Sequence, residues 1–199
     1  MRTGVLGGTF DPIHLGHLAA ARAAMDCAAL DRVLLVPSAQ PPHRAPAEAS
    51  PAMRLEMCHL AVRGERGLEV SDVEIARGGT SYTAETLEEL KRRYPEDDLY
   101  LILGWDAARL FSTWHAPELV RRLATVVVVS RPGTPEPDPD QLVLAGLDPD
   151  HVVLCLADTP DISASELREA LSRGESVAER LPREVELFVV RKGLYGDNR

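Results

Sequence analysis

Cysteine is scarce in this chain, with three residues among 199, at Cys27, Cys58 and Cys155. They are odd in number, far apart and never in a Cys-x-x-Cys pair, which argues against a zinc site and against a disulfide framework. Each has apolar neighbours, as in Leu154-Cys155-Leu156, so the sequence predicts three small buried hydrophobic side chains. We therefore expect a reduced, intracellular protein.

Long apolar runs are also lacking. The start, Met1-Arg2-Thr3-Gly4, has no apolar segment of the kind found in signal peptides, and the longest apolar runs are the length of strands. A membrane-spanning helix needs roughly 20 apolar residues. The sequence therefore predicts a cytoplasmic protein that does not bind a membrane.

Basic residues are in the minority, because 22 Lys and Arg face 31 Asp and Glu for a net charge of -9. Such a surface repels a polyanion, so a nucleic-acid partner is not expected. A phosphate site here has to obtain positive potential locally, from backbone dipoles, imidazoles, a few arginines and a bound cation.

Short β-branched runs alternate with segments of helical period, which predicts an α/β, doubly wound, mostly parallel sheet. We expect a single domain over residues 1–199, with a helical C-terminal portion from about 160. The predicted strands are Thr3 to Gly7, Arg32 to Pro37, Leu68 to Ile75, Leu99 to Leu103, Thr125 to Val129 and His151 to Leu156.

Capping signals place the helices between these strands. The predicted helices run from about Leu15 to Ala29, from Ser50-Pro51, after Thr83, from a capping box at Ser163-x-x-Glu166, and from Pro182 to near Gly193. Two stretches, Ala39 to Pro51 and the proline-rich Arg131 to Asp150, are predicted to be irregular. Whether these loops close over a ligand is left open.

The strongest functional signal is the run GGTFDPIHLGH from Gly7 to His17, at the junction of the first strand and first helix. Ligands of doubly wound sheets bind at such junctions. Gly7 and Gly8 would let backbone approach a phosphate, the helix N-terminus would offer N–H groups, and Thr9 would add a hydroxyl. The junction is therefore a predicted anion site.

His14 and His17 lie three residues apart, so their imidazoles should project to the same side of the first helical turn, with Gly16 leaving room for a ligand. This pairing favours a functional role over a structural one. Asp11, before Pro12, is interpreted as mainly architectural, because such an Asp commonly makes an Asx-type turn.

Other phosphate-binding motifs are absent: the chain has neither G-x-x-x-x-G-K-[ST] nor G-x-G-x-x-G. The remaining H-x-G-H motif resembles that of the nucleotidyltransferases whose paired histidines bind ATP phosphates. This short motif by itself indicates only the superfamily.

Further motifs follow in order along the chain: PPHR from Pro41, SYTAETL from Ser81, GWD from Gly104, STW from Ser112, SRPG from Ser130 and ISASELR from Ile162. Together they resemble the bacterial nicotinate-mononucleotide adenylyltransferases over nearly the whole chain. The resemblance implies a Rossmann-like nucleotidyltransferase fold and transfer of AMP from ATP to nicotinate mononucleotide.

The resemblance also implies a set of ATP-binding residues beside the catalytic His14 and His17. The family usually has Thr where this chain has Ser165, so the hydroxyl is kept and a methyl is lost. The implied ATP-binding residues are Gly7, Gly8, Thr9, Phe10, Gly16, Gly104, Asp106, Arg131, Ile162, Ser163, Ser165 and Arg168. A simple N-cap role for Ser163 or Asp106, and a surface role for Arg168, stay open.

On the acceptor side, Trp114 matches an aromatic platform that stacks on the pyridine ring. The nicotinate carboxylate is implied to lie near Thr83 and Ala84, at a predicted helix N-terminus whose dipole favours an anion. The implied mononucleotide-binding residues are Arg44, Tyr82, Thr83, Ala84, Trp114 and His115.

No compact Asp/Glu cluster is visible in the sequence, so Mg²⁺ is expected to arrive bound to ATP. Two alternatives stand beside this prediction: an H-x-G-H adenylyltransferase with a phosphopantetheine acceptor, and a non-catalytic nucleotide-binding protein. The degree of preference for nicotinate over nicotinamide, and whether the chain forms a homo-oligomer, are left open.

Overall fold

A computed structural model describes residues 1–41, 46–130, 136–157 and 159–196. Its centre is a six-stranded sheet in which every pair of neighbouring strands is parallel. The strands are β1 (Arg2–Gly8), β2 (Arg32–Pro37), β3 (Leu68–Val70), β4 (Asp98–Gly104), β5 (Ala124–Ser130) and β6 (Val152–Leu156). The predicted parallel, doubly wound sheet is confirmed.

Helices connect the strands and cover both faces of the sheet. They are α1 (Leu15–Cys27), α2 (Pro51–Ala61), α3 (Val73–Arg77), α4 (Thr83–Arg93), α5 (Trp105–Ala108), α6 (Pro117–Leu123), α7 (Pro139–Leu144), α8 (Ala164–Ser172) and α9 (Arg183–Lys192). Two 3₁₀ turns are also present, at Phe111–Thr113 and Pro149–His151. Among the described residues, no helix is long and apolar enough to cross a bilayer.

The strand order is β3-β2-β1-β4-β5-β6. The chain moves outward from β1 in one direction and then returns to its other side with β4, so the order reverses between these two strands. The carboxyl ends of strands at such a reversal form the crevice in which doubly wound proteins bind ligands. In this chain β1 ends at Gly8 and β4 at Gly104, which places the predicted anion site in that crevice.

Two buried apolar clusters lie against the sheet. One includes Leu18, Met57, Leu167 and Val185 from α1, α2, α8 and α9, and the other includes residues of α4, α6 and α7. Because both faces of the sheet are covered, central strands carry apolar residues on both faces, as in the run from Val126 to Val129 of β5. The C-terminal helices α8 and α9 belong to the first cluster and close the core beside α1.

Three predicted segments differ from the structure by more than one residue. The predicted strand Leu68 to Ile75 stops at Val70, because Asp72 is the N-cap of the short helix α3. The proline-rich stretch predicted to be irregular contains α7, since Pro139 occupies the first turn and Asp138 forms a reciprocal capping box with Gln141. The first helix ends at Cys27 rather than Ala29, which adopts a positive φ of 46°.

The cysteine prediction was wrong for two of the three residues. Cys27 and Cys155 form a disulfide with an S–S distance of 2.12 Å, although 128 positions separate them. The pairing follows from the packing of α1 on β6, which no local pattern reveals. Cys58 is a buried free thiol, as predicted, and burial raises its pKa to about 12.

Candidate active site

The loop after β1 is tightly packed. Phe10 has a positive φ of 50° and is buried, and its ring meets that of His17 edge-on at 4.9 Å. A Cβ on Gly8 would lie 2.8 Å from the Phe10 ring, whereas a Cβ on Gly7 would meet nothing within 4 Å. Gly8 is therefore required by the Phe10 side chain, and Gly7 is the glycine that borders open space at the end of the strand.

His14 and His17 converge at the start of α1, as predicted. Their rings stack with centroids 3.6 Å apart, and the backbone N–H of His14, the N-cap residue, donates to Nδ1 of His17 at 3.2 Å. A Cβ on Gly16 would lie 3.1 Å from His14 Nδ1 and 3.2 Å from the Pro160 carbonyl oxygen. Gly16 thus makes room for the His14 ring itself rather than only for a ligand.

Asp11 has the predicted architectural role, but not through an Asx-type turn. Its buried carboxylate accepts hydrogen bonds from the backbone N–H groups of Glu48 at 2.7 Å and Ala49 at 3.1 Å, and from the Tyr195 hydroxyl at 2.6 Å. These donors come from distant segments. Asp11 therefore fixes the loop after β1 against the segment before α2 and the C-terminal turn.

Arg168 of α8 reaches the same loop. Its Nη1 donates to the Asp11 carbonyl oxygen at 2.8 Å, and its Nε pairs with Glu48 at 2.7 Å. Ser165 and Arg168 line a cavity of about 230 Å³ together with Glu48 and Tyr195. The structure thus brings the C-terminal motif beside the loop of the histidine motif, with Glu48 already engaged by the arginine.

The other two members of the C-terminal motif differ in exposure. Ser163 is exposed and stands at the N-cap position of α8, but its side chain makes no capping hydrogen bond, so the predicted capping box with Glu166 does not form. The Ile162 side chain is buried in the core. A contact between Ile162 and a nucleotide would therefore involve its backbone.

The end of β4 presents two of the implied residues. Gly104 is exposed and is the N-cap of α5, and a Cβ there would meet nothing within 4 Å. The Asp106 side chain is 93% exposed, and its Oδ1 lies 3.5 Å from Nε of Arg109. Asp106 is not the N-cap of α5 but lies in its first turn, where a carboxylate interacts favourably with the helix dipole.

The predicted acceptor residues come together from two segments. The ring centroids of Tyr82, the N-cap of α4, and His115 lie 4.5 Å apart. Trp114 is partly exposed, and its ring packs on that of Phe111 with centroids 5.4 Å apart. Ala84 is buried and Thr83 partly exposed in the first turn of α4. The N–H groups of a first helical turn lack helical acceptors, which suits an anion.

Two implied residues, Arg44 and Arg131, lie outside the described residues. Within residues 1–41, 46–130, 136–157 and 159–196, no group of three His, Cys, Asp or Glu side chains could hold a metal ion.

Three buried charged residues, Arg54, Glu74 and Asp97, were missed by the sequence analysis. Arg54 of α2 is 1% exposed and bonds three backbone carbonyls, and Glu74 of α3 is 6% exposed and accepts a 2.7 Å hydrogen bond from Thr86. The signal for Arg54 was its helical spacing from the apolar Met57, Cys58 and Ala61, which places it on the buried face of α2. Glu74 had no comparable signal.

Comparison with known proteins assigns the class. Residues 5–170 match the cytidylyltransferase-like family model, so the chain belongs to this nucleotidyltransferase family. Enzymes of this class generally use a divalent metal with the nucleotide.

Individual relatives narrow the assignment. A Thermus thermophilus protein named probable nicotinate-nucleotide adenylyltransferase is 43% identical over 195 residues, covering 98% of this chain and 100% of the relative. A Citrifermentans bemidjiense protein of the same name is 43% identical over 216 residues and covers 100% of both chains. The chain is therefore a member of the nicotinate-nucleotide adenylyltransferase family.

Solved structures agree on the fold. The Plasmodium falciparum nicotinic acid mononucleotide adenylyltransferase complexed with NaAD superposes with a TM-score of 0.80, covering 98% of this chain and 97% of that chain at 17% identity. At this identity the likeness shows the fold alone, and it confirms the predicted Rossmann-like nucleotidyltransferase architecture.

Proposed function

We propose that this chain transfers AMP from ATP to nicotinate mononucleotide, giving nicotinate adenine dinucleotide and pyrophosphate as a step in NAD biosynthesis. The observation that carries the proposal is the stacked pair His14 and His17, with ring centroids 3.6 Å apart at the N-terminus of α1. They lie in the crevice between β1 and β4. The proposal also draws on the names of the full-length relatives.

The nucleophile is the phosphate of the mononucleotide. It carries about -1.5 to -2 charge near neutral pH because its second pKa is about 6, so no general base is needed. One of its oxygens forms a bond to the α-phosphorus of ATP, the bond from that phosphorus to the bridging oxygen breaks, and pyrophosphate leaves with the electron pair. The enzyme's task is to align the two substrates and to stabilise the negative charge.

His14, His17 and Thr9 are assigned to the phosphates of ATP, together with backbone N–H groups at the start of α1. Ser165 and Arg168 approach from α8. Since Arg168 pairs with Glu48 at 2.7 Å, contact of its Nε with a phosphate requires that Glu48 be displaced. We assign Mg²⁺ to the substrate, because it would arrive bound to the phosphates of ATP and keep several of its waters.

The remaining implied residues are assigned to recognition of the two substrates. We assign Asp106, exposed beside Gly104, to the ribose hydroxyls as a hydrogen-bond acceptor. On the acceptor side, Trp114 offers a ring face to the pyridine, and the first turn of α4 at Thr83 and Ala84 receives the nicotinate carboxylate. The dipole at a helix N-terminus stabilises a bound carboxylate more than a neutral carboxamide.

The test is pyrophosphate release from ATP and Mg²⁺, with nicotinate mononucleotide, nicotinamide mononucleotide and phosphopantetheine offered in parallel. We expect rapid release with nicotinate mononucleotide and much slower release with the other two. A preference for phosphopantetheine would retain the ATP site and refute the roles given to Trp114 and Thr83. Release with none of the three would refute catalysis and support a nucleotide-binding protein.

A further inference from the structure

Arg54 is the largest fully buried side chain in the described parts of the molecule, and its guanidinium donates to three backbone carbonyls. Nη1 donates to the Thr9 carbonyl at 2.7 Å, Nη2 to the Ala39 carbonyl at 3.2 Å, and Nε to the Ala49 carbonyl at 3.2 Å. Burying a guanidinium costs free energy that a buried apolar residue would not require. The three carbonyls it holds therefore call for an explanation.

These carbonyls belong to segments with different roles. Thr9 lies in the loop assigned to the phosphates of ATP, and Ala39 lies just after β2. Ala49 precedes α2, and its N–H donates to Asp11 at 3.1 Å. A planar guanidinium holds its donors in a rigid fork, so the positions of the three segments are set relative to one another.

From Ala39 the hydrogen bonds continue to the acceptor side. The Ala39 N–H donates to Ser81 Oγ at 3.0 Å, and the Ser81 N–H donates to the Gln40 carbonyl at 2.9 Å. Close to this segment, the buried Glu74 accepts from Thr86 of α4 at 2.7 Å. A continuous path of hydrogen bonds thus joins Thr9 to the segment that begins α4.

We propose that Arg54 is a positioning residue that fixes the ATP half of the site relative to the acceptor half, through Thr9 on one side and Ala39 with Ser81 on the other. This inference rests on the proposed function, because the roles of the two halves come from it. The physical reason is that in-line transfer depends on the relative placement of two bound substrates. A misplacement of about 1 Å can lower such a rate about 10²-fold.

The test compares Arg54→Lys, which keeps the charge and loses the fork, with Arg54→Met, which loses both. We expect turnover at saturating concentrations of both substrates to fall about 10- to 100-fold in each variant. The dissociation constant of each substrate measured alone should change less than about threefold. Rates are expressed per folded molecule, so a loss of stability alone would change neither turnover nor binding. Lower turnover with unchanged binding therefore identifies a positioning role.

Arg32→Lys is the matched control. Arg32 is also a largely buried arginine with three side-chain partners, Thr3, Glu69 and Asp97, but it lies at the amino end of the sheet, away from the crevice. We expect it to lower thermal stability and to leave turnover per folded molecule within about twofold of wild type.

Ser81→Ala keeps the proposal testable should the Arg54 variants fail to fold. Ser81 is only partly buried, and loss of its hydroxyl removes the hydrogen bond from the Ala39 N–H. A fall in saturated turnover of about threefold or more, reversed by Ser81→Thr, would support the proposal. Unchanged turnover in Ser81→Ala would overturn it, as would recovery of wild-type turnover in Arg54→Lys, which would reduce the role of Arg54 to its charge.

The assay separates this inference from the proposed function, because the wild-type protein is tested first with the three acceptors. If wild type prefers another acceptor, the proposed function fails, and the Arg54 series is run with that acceptor. The positioning role is then tested in the same way, by whether turnover falls while the dissociation constants change little.

Discussion

The Tyr195 hydroxyl donates a 2.6 Å hydrogen bond to Oδ1 of Asp11, across 184 positions of sequence. It joins the turn after the last helix to the loop that precedes the two histidines. Burial, with the hydrogen bond to Asp11 second, raises the pKa of Tyr195, so its hydroxyl stays protonated and keeps donating throughout the working pH range. The turn after α9 is thereby part of the scaffold of the crevice.

Tyr195→Phe should destabilise the protein. The substitution leaves the buried Asp11 carboxylate with one donor fewer, and hydrogen bonds to charged groups contribute about 1.5–3 kcal/mol. We expect a loss of that size in the free energy of unfolding, measured by urea denaturation. Tyr100→Phe is the control: its ring lies 4.9 Å from the Arg2 guanidinium and keeps that contact. Equal stabilities of the two variants would contradict the importance of the Tyr195 bond.

His17→Ala should separate catalysis from folding. His17 is only partly buried, so its loss should leave the fold intact, with a modest fall in melting temperature because the hydrogen bond from the His14 N–H is lost. Removal of one donor that stabilises transition-state charge typically lowers kcat about 10²–10³-fold, and we expect a fall in this range in pyrophosphate release. His151→Ala, at a residue 81% exposed and 2.7 Å from Asp148, should retain wild-type turnover. Near-normal turnover of His17→Ala would remove the histidine pair from the mechanism.

Trp114→Ala should weaken binding of the mononucleotide and leave ATP binding unaffected. Stacking of a base on an aromatic side chain contributes about 1–3 kcal/mol, which corresponds to an increase of about 5- to 150-fold in the KM of the acceptor. Trp114→Phe should recover part of the loss, since a ring face and the contact with Phe111 are retained. Steady-state kinetics with each substrate varied in turn provides the measurement, and an unchanged acceptor KM would exclude the platform role.

Local sequence patterns predicted what depends on local interactions. The β-branched run of β5 and the helix start at Leu15 were recognisable because their signals lie within a few residues. The convergence of His14 and His17 also followed from helical spacing alone. For the same reason the fold class and the crevice could be predicted before the structure was known.

Long-range contacts could not be predicted in this way. The Cys27–Cys155 disulfide, the Asp11–Tyr195 bond and the carbonyls around Arg54 join segments whose proximity exists only after the sheet has formed. A buried arginine can be told from an exposed one in the sequence only by its position on the apolar face of its helix. The supporting framework of the site was therefore largely missed, whereas the roles of the candidate ligand-facing residues stay predictions.

Replacing Cys27 and Cys155 by serine should lower stability without lowering turnover. Disulfides typically contribute about 2–4 kcal/mol by restricting the unfolded chain, and this one closes a span of 128 positions. It lies at the far end of α1 from His14, about 20 Å away at the helical rise per residue, so pyrophosphate release at 25 °C should be unchanged. Dithiothreitol should lower the melting temperature of wild type and not that of the double variant; an equal shift in both would show that the disulfide is not the cause.

The stability contribution of Glu74 should depend on pH. Burial is the largest cause of its raised pKa, opposed by hydrogen bonds from Ser81 and Thr86 and by Arg77. The folded protein therefore holds the proton more tightly than the unfolded chain, so this contribution is fully present below the ordinary glutamate pKa of about 4.3 and is lost as pH rises through the folded value. Because Gln is neutral throughout, the free energy of unfolding of Glu74→Gln minus that of wild type should increase with pH over this window.

Asp97→Asn should show the opposite slope. Although burial opposes ionisation of Asp97, hydrogen bonds from Thr3 and Arg32 outweigh it, and the pKa is lowered. The stabilising contribution of Asp97 is present above the ordinary aspartate pKa of about 3.9 and is lost as pH falls through the folded value. The free energy of unfolding of Asp97→Asn minus that of wild type should therefore become more negative as pH rises. Urea denaturation of the three proteins at intervals from pH 3 to 8 measures both slopes. Slopes of the same sign would mean that Glu74 is stabilised as a carboxylate by its hydrogen bonds, in spite of its burial.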